Sequence, residues 1–524
     1  MSIHYALDFG TTNSVLTSDR NGGVEVVTLP DVSADRARTP VVPSAVCFTA
    51  SGSPHLIGQS AISQNVLGRL PNFAQGFKRK LGRESHRAVA RLDEKAFSAR
   101  QAAVAFFDGL RAAVRHDIHP RHGGLRGWWD DLQDRRHPLL ADLTLTTPVD
   151  ADELYRREIT ALGLRLGART LRLLDEPVAA ALGYGVNIGR ELVVLVVDWG
   201  GGTLDISIVR TGPETLVRGR AEVLAKSAVP IGGDDVDTWI AGQFLVPLSD
   251  FVTEWEVDAA QEAARVKETA SIEGDAMFRF RSLPARRFTR DDLRGVLAEH
   301  GAYAALGRAL AEALEQLRLR HGLGPGAINE ALLVGGSSLL PGVDERVRAA
   351  LPTARVSEWN VFAAVAEGAC VYARGAHVAD QIYHDYALRM TDDTTRSVYY
   401  ELIFPAGTCY PTAGASIQRV YIPDPGSPNE IVFEVCEIAR LGREPVSWME
   451  EANGRRTWRP TAPADHARAL VINEGQTILR LPASRNNGRR LHVTYNLDRE
   501  RYLRWTVLDG RNILRDNEVL GRLR

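Results

Sequence analysis

The stretch LVVLVVDWGGGTLDISIVR, residues 192–210, decides how this chain folds. An apolar run ends at Asp198, three glycines and a threonine follow, and a second apolar run continues past Asp205. Apolar runs around a glycine turn predict the two strands of a buried hairpin. Glycine lets phosphate oxygens approach the backbone, and successive free N–H groups form an anion site. The stretch therefore predicts a phosphate-binding hairpin flanked by carboxylates.

The N-terminus repeats this plan. YALDFGTTNSVLTSD, residues 5–19, also contains a strand, an acid, a turn of small residues and a second strand, with Asp8 in the place of Asp198. A second pair, EPVAAALGYG (176–185) and NVFAAVAEGA (360–369), recurs at nearly the same spacing. Two unrelated features at one spacing predict two similar halves. We expect the two hairpins to face each other across a polyphosphate cleft, with the two small-residue helices crossing closely.

Composition limits the class of protein. The chain has 524 residues, 44% of them apolar, and a net charge of −2. Four scattered cysteines form no CxxC pair, which argues against zinc and against a disulfide framework. We find no signal peptide and no apolar run of ~20 residues, so we expect a soluble, cytoplasmic protein without a membrane partner. Only five of the 63 Lys and Arg residues are lysines, so each lysine is a candidate for a specific role.

The acids at the two turns suit a metal. Asp8 and Asp198 each end a strand at a phosphate turn, and Mg²⁺ takes oxygen ligands while keeping several waters. We expect the two carboxylates to face each other across the hydration shell of Mg²⁺. Thr11 and Thr203 offer hydroxyls to phosphate or to a metal-bound water.

Other polar residues are candidates for the reaction itself. Glu176 begins a helix beside a proline and could orient an attacking water; the alternative is an acid that only stabilises the helix N-terminus. Asp205 lies on the same strand face as the turn threonine, and its alternative role is to accept a backbone N–H. The segment FKRKLGR supplies Lys78 and Lys80 as cations for a γ-phosphate, unless it is a solvated basic loop.

These motifs carry a family resemblance. In order and spacing they resemble the ATPase domain of the heat shock protein 70 family, a member of the actin-like ATPase superfamily. The matching segments are LDFGTTNS, FKRKLGR, LLDEPVAAALGYG, VVDWGGGTLDISIV, IGGDDVD, LLVGGSSLLPGV and AAVAEGA. The resemblance covers residues 1–378 and implies an α/β fold, a two-lobed actin-like domain built from duplicated ribonuclease H-like halves. It implies binding of ATP/ADP with Mg²⁺ and hydrolysis of ATP.

Matching motif positions imply three sets of site residues. The catalytic set is Lys78, Glu176, Asp198, Thr203 and Asp205. The metal set is Asp8 and Asp198. The nucleotide-binding set is Gly10, Thr11, Thr12, Asn13, Gly200, Gly201, Gly202, Gly232, Gly233, Lys267, Ser271, Gly335, Gly336 and Ser337.

The chain departs from the family pattern around the adenosine. Ala264 replaces a glutamate, Glu268 replaces an arginine, and Leu339 replaces a basic residue after the Gly-Gly-Ser turn. We therefore expect looser adenine binding with intact phosphate chemistry. The segment 116–137 is longer and more aromatic than the family pattern, and nothing in the sequence explains it.

The C-terminal third is rich in β-strand patterns. Residues 386–524 resemble the family's substrate-binding β-sandwich, an all-β domain, without the helical lid that follows it in the family. Residues 379–385 are expected to form a linker, which lacks the family's leucine run. The resemblance implies extended peptides or unfolded protein segments as substrates, and a J-domain co-chaperone and a nucleotide-exchange factor as partners. We expect no nucleic-acid binding, because no aromatic residues interleave with the C-terminal arginines.

The leading interpretation is an ATP-dependent chaperone-like protein whose β domain binds peptides under control of ATP hydrolysis. One alternative is an actin-like ATPase that acts as a filament, scaffold or regulatory protein. Another is a small-molecule kinase of the same superfamily, which would need an acceptor pocket and a catalytic base that the sequence does not reveal.

Overall fold

The structure is a computed structural model of the chain. It describes residues 3–20, 23–36, 39–50, 54–65, 70–118, 140–186, 190–212, 221–245, 252–280, 284–358, 360–375, 378–392, 395–412, 417–423, 429–440, 446–474, 478–481, 489–498 and 501–523. Most of the aromatic segment 116–137 lies outside these residues. Within them, no helix has the length and apolar character needed to cross a membrane.

The chain forms two compact units. Unit 1 comprises Met1–Val149 and Glu158–Val378, and unit 2 comprises Asp150–Arg157 and Ala379–Arg524. Residues 379–385, the expected linker, thus belong to unit 2.

The first half of unit 1 runs to residue 186. Its strands are β1 (Tyr5–Phe9), β2 (Asn13–Ser18), β3 (Glu25–Val26), β4 (Ala34–Arg36), β5 (Thr39–Pro43), β6 (Ala45–Cys47), β7 (Leu56–Ile57), β8 (Phe73–Gln75), β9 (Ala88–Leu92), β10 (Lys95–Ser98), β11 (Asp142–Thr147) and β12 (Thr170–Asp175). Its helices are α1 (Gly58–Gln64), α2 (Ala99–Ile118), α3 (Glu153–Arg165, whose first residues count with unit 2) and α4 (Glu176–Val186), with a 3-10 helix at Phe77–Lys80.

The second half of unit 1 begins at residue 190. Its strands are β13 (Leu192–Trp199), β14 (Leu204–Thr211), β15 (Ala221–Val229), β16 (Asp275–Phe278), β17 (Arg286–Thr289), β18 (Glu330–Val334) and β19 (Arg355–Glu358). Its helices are α5 (Gly233–Leu245), α6 (Val252–Glu273), α7 (Arg290–Glu299), α8 (Ala302–His321), α9 (Val343–Ala350) and α10 (Ala364–Ala373), with 3-10 helices at Pro325–Ala327 and Gly336–Leu339.

The two halves share one sheet topology. In the first half the strands lie in the order β12-β11-β1-β2-β5, and in the second in the order β19-β18-β13-β14-β15. In both, the glycine hairpin is antiparallel and its first strand has a parallel neighbour on the other side. Strand β13 lies between two neighbours and is buried almost throughout, which is why its sequence is continuously apolar. The predicted duplication is therefore visible in the strand order.

Helices α4 and α10 cross closely at glycines. A Cβ added at Gly368 would lie 1.6 Å from the carbonyl oxygen of Ala179, and one added at Gly183 would lie 3.0 Å from the backbone nitrogen of Gly368. Ala179–Ala181 of α4 and Ala364 and Ala369 of α10 are buried in one apolar cluster with strands of both halves. The small residues noted in the sequence thus allow the two helix backbones to approach.

Unit 2 contains two packed sheets. Its strands are β20 (Val378–Gln381), β21 (Asp385–Thr391), β22 (Val398–Phe404), β23 (Cys409–Tyr410), β24 (Ile417–Tyr421), β25 (Glu430–Val432), β26 (Glu434–Ile438), β27 (Met449–Glu450), β28 (Arg456–Trp458), β29 (Ala469–Val471), β30 (Ile478–Arg480), β31 (Leu491–Leu497), β32 (Tyr502–Asp509) and β33 (Asn512–Arg522), with a short helix, α11, at Pro463–His466. One sheet has the order β27-β28-β22-β21-β26-β29 and the other β24-β31-β32-β33. Leu388 and Ile403 of the first share an apolar core with Val493 and Val507 of the second, which makes the unit a β-sandwich.

Candidate functional site

The two predicted phosphate turns face each other in unit 1. A Cβ added at Gly201 would lie 2.2 Å from Thr12 Oγ1, and one added at Gly202 would lie 2.6 Å from Thr11 Oγ1. These approaches join the turn after β1 to the turn after β13. Only glycine leaves room for the threonine hydroxyls here. The turns thus come together as the duplicated plan predicts.

A buried ion pair lies close to Asp8 and Asp198. Lys78 Nζ is 2.8 Å from Glu176 Oε1, and the side chains are 5% and 9% exposed. Lys78 is held in the 3-10 helix Phe77–Lys80, and Glu176 is the first residue of α4. The sequence offered both Lys78 and Lys80, and the structure pairs Lys78 with the predicted catalytic acid.

Asp8 and Asp198 share this environment. Burial, followed by the negative charge of Glu176, raises the pKa of Asp8 to about 7, although Lys78 and the hydroxyl of Thr146 act in the opposite direction. Thr146 Oγ1 donates to Asp8 Oδ1 at 2.7 Å. Burial also raises the pKa of Asp198 well above its usual range, and the charges of Glu176 and Asp8 add to the shift. Among the described residues, the ammonium group of Lys78 thus lies close to three carboxylates.

This excess of buried negative charge fits a divalent cation. Desolvated carboxylates that repel one another are stabilised by a metal ion, which keeps them ionised. Within the described residues no three His, Cys, Asp or Glu side chains form a direct metal cage. Mg²⁺ that retains water and contacts phosphate needs only one or two protein carboxylates. Asp8 and Asp198 are therefore chemically suited to such an ion.

Ser337, Lys267 and Asp237 of the second half lie around the glycine turns. Ser337 Oγ donates to the carbonyl oxygen of Gly200 at 2.8 Å, and a Cβ at Gly233 would lie 2.7 Å from the same Oγ. Lys267 Nζ donates to the carbonyl oxygen of Gly233 at 3.0 Å and lies 2.7 Å from Asp237 Oδ1. Burial raises the pKa of Asp237 to about 6, although Lys267 lowers it. The glycine turns at 200, 233 and 335 therefore converge, as the motif order predicts.

Three other predicted residues, Asp205, Thr203 and Ser271, make hydrogen bonds with backbone groups. Asp205 Oδ1 accepts the N–H of Val149 at 2.9 Å, which is the structural alternative raised for it above. Thr203 contributes its carbonyl oxygen to the N–H of Gly200 at 3.0 Å. Ser271 Oγ donates within its own helix, to the carbonyl oxygen of Lys267.

The remaining predicted positions lie on the turns. Asn13 begins β2 and pairs with Pro43, and the carbonyl oxygen of Gly10 accepts from Ser44 Oγ at 2.7 Å. Gly232 closely approaches the Gly201 carbonyl, since a Cβ there would lie 2.2 Å from it. Gly336 begins the 3-10 helix Gly336–Leu339, where Leu339 is 37% exposed.

Sequence reasoning missed the acids that begin α5. Thr12 Oγ1 donates to Asp234 Oδ1 at 3.3 Å, and Arg79 Nη1 lies 3.0 Å from Asp235 Oδ1. These contacts tie the first half to α5 across the cleft. The acids of IGGDDVD were visible in the sequence, but their partners stand far away in it. Burial raises the pKa of Asp234, an effect that Lys267 opposes.

Comparisons with known proteins agree with the family resemblance of the motifs. A family model described as Hsp70 protein matches residues 5–104 and 137–391. The chain is 30% identical over 379 residues to the chaperone protein HscA homolog of Shewanella amazonensis, covering 70% of this chain and 57% of that protein. It is 28% identical over 489 residues to the chaperone protein DnaK of Deinococcus radiodurans, covering 89% of this chain and 74% of that protein. It is also 28% identical over 434 residues to the chaperone protein DnaK of Thermotoga maritima, covering 78% of this chain and 67% of that protein. The chain therefore spans between about half and three quarters of the length of these relatives.

Proposed function

The chain belongs to the Hsp70 family, and from this premise we propose that it hydrolyses ATP to control peptide binding by its β-sandwich. Family membership and the predicted fold class, a two-lobed actin-like ATPase with a β-sandwich, are confirmed by the family match. The observation that carries the proposal is the contact of Lys78 with Glu176 beside Asp8 and Asp198. This arrangement supplies a cation and buried acids at the phosphate turns.

ATP or ADP would lie with its phosphates between the two turns. Backbone N–H groups of the two turns, at Gly10–Asn13 and at Gly201 and Gly202, would donate to phosphate oxygens, since the turns approach each other at glycine. Thr11, Thr12 and Ser337 add hydroxyl donors at the same place. The nucleoside would lie toward Lys267 and Ser271 on α6.

Mg²⁺ would be held through Asp8 and Asp198. Such an ion would neutralise negative charge on the phosphates. The two acids are desolvated, and each is affected by the charge of Glu176. Asp8 and Asp198 would hold the ion at the ends of the two hairpins.

Lys78 and Glu176 would act on the γ-phosphate and the water. The ammonium of Lys78 is close enough to Glu176 to be oriented by it, and donates to a γ-phosphate oxygen as charge develops there. The carboxylate of Glu176 accepts a hydrogen bond from the attacking water. Thr203 and Asp205 remain proposed members of this set, Asp205 acting through the backbone N–H that it holds.

Unit 2 would bind the substrate. Its two-sheet architecture and the chaperone names of the relatives support extended peptides or unfolded segments as ligands. A peptide of this kind is recognised by backbone hydrogen bonds along a strand and by side-chain pockets. A J-domain co-chaperone and a nucleotide-exchange factor would be partners of the full cycle.

Product analysis of the full chain tests this function. Purified protein with ATP should release phosphate and ADP with Mg²⁺ and lose the activity in EDTA. Asp8→Asn should reduce the rate by about 10²-fold, since a positioned charge at the phosphates is lost. Asp93→Asn is the matched control, because Asp93 is exposed and has a positive φ that asparagine tolerates. Absence of ADP from the wild type, or full activity of Asp8→Asn, would contradict the proposal.

A further inference from the structure

Lys226 and Asp175 form a buried ion pair outside the residues assigned above. Lys226 Nζ lies 2.6 Å from Asp175 Oδ2, and the side chains are 3% and 1% exposed. Lysine is rare here, at five of 63 Lys and Arg residues. Replacing a buried ion pair by apolar groups is often neutral or stabilising, so stability alone is a weak reason for such a pair. The geometry around it offers another.

The pair joins the two halves of unit 1. Asp175 ends β12 in the first half, and Lys226 lies in β15 of the second. Gln316 fixes the backbone of Lys226 by accepting its N–H at 3.3 Å and donating to its carbonyl oxygen at 2.8 Å. Thr147 Oγ1 donates to Asp175 Oδ1 at 3.4 Å. Because both partners are held, the ion pair sets the separation of β12 and β15.

Asp175 directly precedes Glu176. The strand ends at Asp175 and α4 begins at Glu176, so any shift of the first moves the backbone of the second. The Glu176 carboxylate is in turn 2.8 Å from Lys78. A misplacement of about 1 Å at a reacting group can cost ~10²-fold in rate. A shift of Asp175 would therefore change where Glu176 lies relative to Lys78.

We propose that Lys226 is a positioning residue for ATP hydrolysis, which acts through Asp175 on the placement of Glu176; the inference rests on the proposed function. The compact ammonium suits this task, because it approaches one carboxylate oxygen as a point charge, whereas the guanidinium of this chain's usual cation is a wider planar fork. Another contact between the halves runs from the Val149 N–H, just after β11, to Asp205 Oδ1 in β14.

Three full-length variants test the role. Lys226→Met should lower both the melting temperature and the single-turnover rate, because it removes the ammonium group that offsets the buried negative charge of Asp175. Asp175→Asn combined with Lys226→Met should restore the melting temperature, while the rate stays about tenfold below wild type with nearly unchanged ATP affinity. Lys226→Arg should keep the fold and lose a similar factor in rate. Lys95→Met, at an exposed lysine, is the matched control.

The outcomes separate positioning from structure. A double variant with restored stability and a wild-type rate would overturn the proposal. If the double variant does not fold, Lys226→Arg decides, and a wild-type rate in that variant would overturn the proposal equally. Failure of the wild type to release phosphate refutes the ATPase function instead. In that event a crystal structure of Lys226→Arg still tests positioning, since we expect the Lys78–Glu176 distance to exceed its 2.8 Å and an unchanged distance would reject the role.

Discussion

The Nζ of Lys78 lies 2.8 Å from the Oε1 of Glu176, in a part of unit 1 where both side chains are almost fully buried. Burial raises the pKa of Asp8 and of Asp198, and the charge of the Glu176 carboxylate is the next largest cause of both increases. Lys78 is therefore a cation placed beside three acids. Its removal should affect chemistry more than nucleotide binding, because the turns that hold the phosphates are built from backbone groups.

Lys78→Ala should reduce the single-turnover rate of ATP hydrolysis by about 10²–10³-fold, the usual loss when one positioned electrostatic group is removed. ATP affinity should change little. Lys80→Ala is the matched control: it lies in the same 3-10 helix and is more exposed, so its rate should stay near wild type. Rapid-quench measurement of ADP formation checks both. A Lys78→Ala rate within about threefold of wild type would remove Lys78 from the catalytic set.

Gly368→Ala should destabilise unit 1, because its Cβ would lie 1.6 Å from the Ala179 carbonyl oxygen and the two helices would have to separate. Overpacking of this kind costs about 1–3 kcal/mol or more in the free energy of unfolding. Gly307→Ala makes the same change inside α8, where no described atom outside the adjacent helix backbone lies within 4 Å of the new Cβ, and it should stabilise by about 0.5–1 kcal/mol. Calorimetry of the two variants should show melting temperatures on opposite sides of wild type. Equal shifts would mean that the helix crossing is not tightly packed.

The fold of unit 1 was largely predictable from local patterns. The hairpin at Asp198 and its copy at Asp8 are each contained in one short stretch, so the strand order follows from two motifs and their repetition. The convergence of the two hairpin turns was predicted from the repeated plan. The proposed chemical roles of the residues stay predictions.

The contacts across the cleft could not be predicted in this way. Thr12 and Asp234 are 222 positions apart, and no period or turn chemistry links them. The same holds for Lys226 and Asp175, whose meeting depends on the packing of one half against the other. Rarity marked Lys226 as a candidate for a specific role, but its partner required the three-dimensional structure. Asp205 is the opposite case. The sequence offered a structural role for it, acceptance of a backbone N–H, and this is the contact observed.

The stability of unit 2 should fall as pH rises through the range set by Glu437. Burial raises the pKa of this carboxyl to about 7, although Arg156 and hydrogen bonds from Tyr386 and the N–H of Glu153 lower it; the charge of Asp152 adds to the increase. Between the usual pKa of glutamate and about 7, the folded state therefore binds a proton that the unfolded state has lost. Each pH unit in this window should remove up to about 1.4 kcal/mol of stability.

Glu437→Gln removes this titration and should flatten the pH dependence of the unit 2 unfolding transition between about pH 5 and 7. Glu434→Gln on the same strand is the control, because Glu434 is partly exposed and paired with Arg389, and it should keep the wild-type slope. Differential scanning calorimetry across this pH range measures both. A wild-type transition that is flat, or equally steep in Glu437→Gln, would show that Glu437 is not responsible.

A fragment that begins at residue 379 should be more stable than one that begins at 386, the start predicted from the sequence. Asp380 accepts from the Tyr410 hydroxyl at 2.8 Å and lies 3.3 Å from Arg501 Nη2. Ile382 is buried in the sandwich core, and its backbone exchanges hydrogen bonds with Gly407 and Thr408. These non-local bonds explain why a segment without a leucine run is nevertheless a structural part of unit 2.

Losing the buried Ile382 side chain costs about 1.5–3 kcal/mol, and losing each buried hydrogen bond costs about 1 kcal/mol more. For a unit of this size the 386–524 fragment should therefore melt about 10 °C or more below the 379–524 fragment. Asp380→Ala and Thr395→Ala in the full chain provide a matched pair, since Asp380 is buried and Thr395 is exposed. Only Asp380→Ala should lower the transition of unit 2. Equal melting temperatures for the two fragments, together with an Asp380→Ala variant that melts like wild type, would support the linker role predicted for residues 379–385.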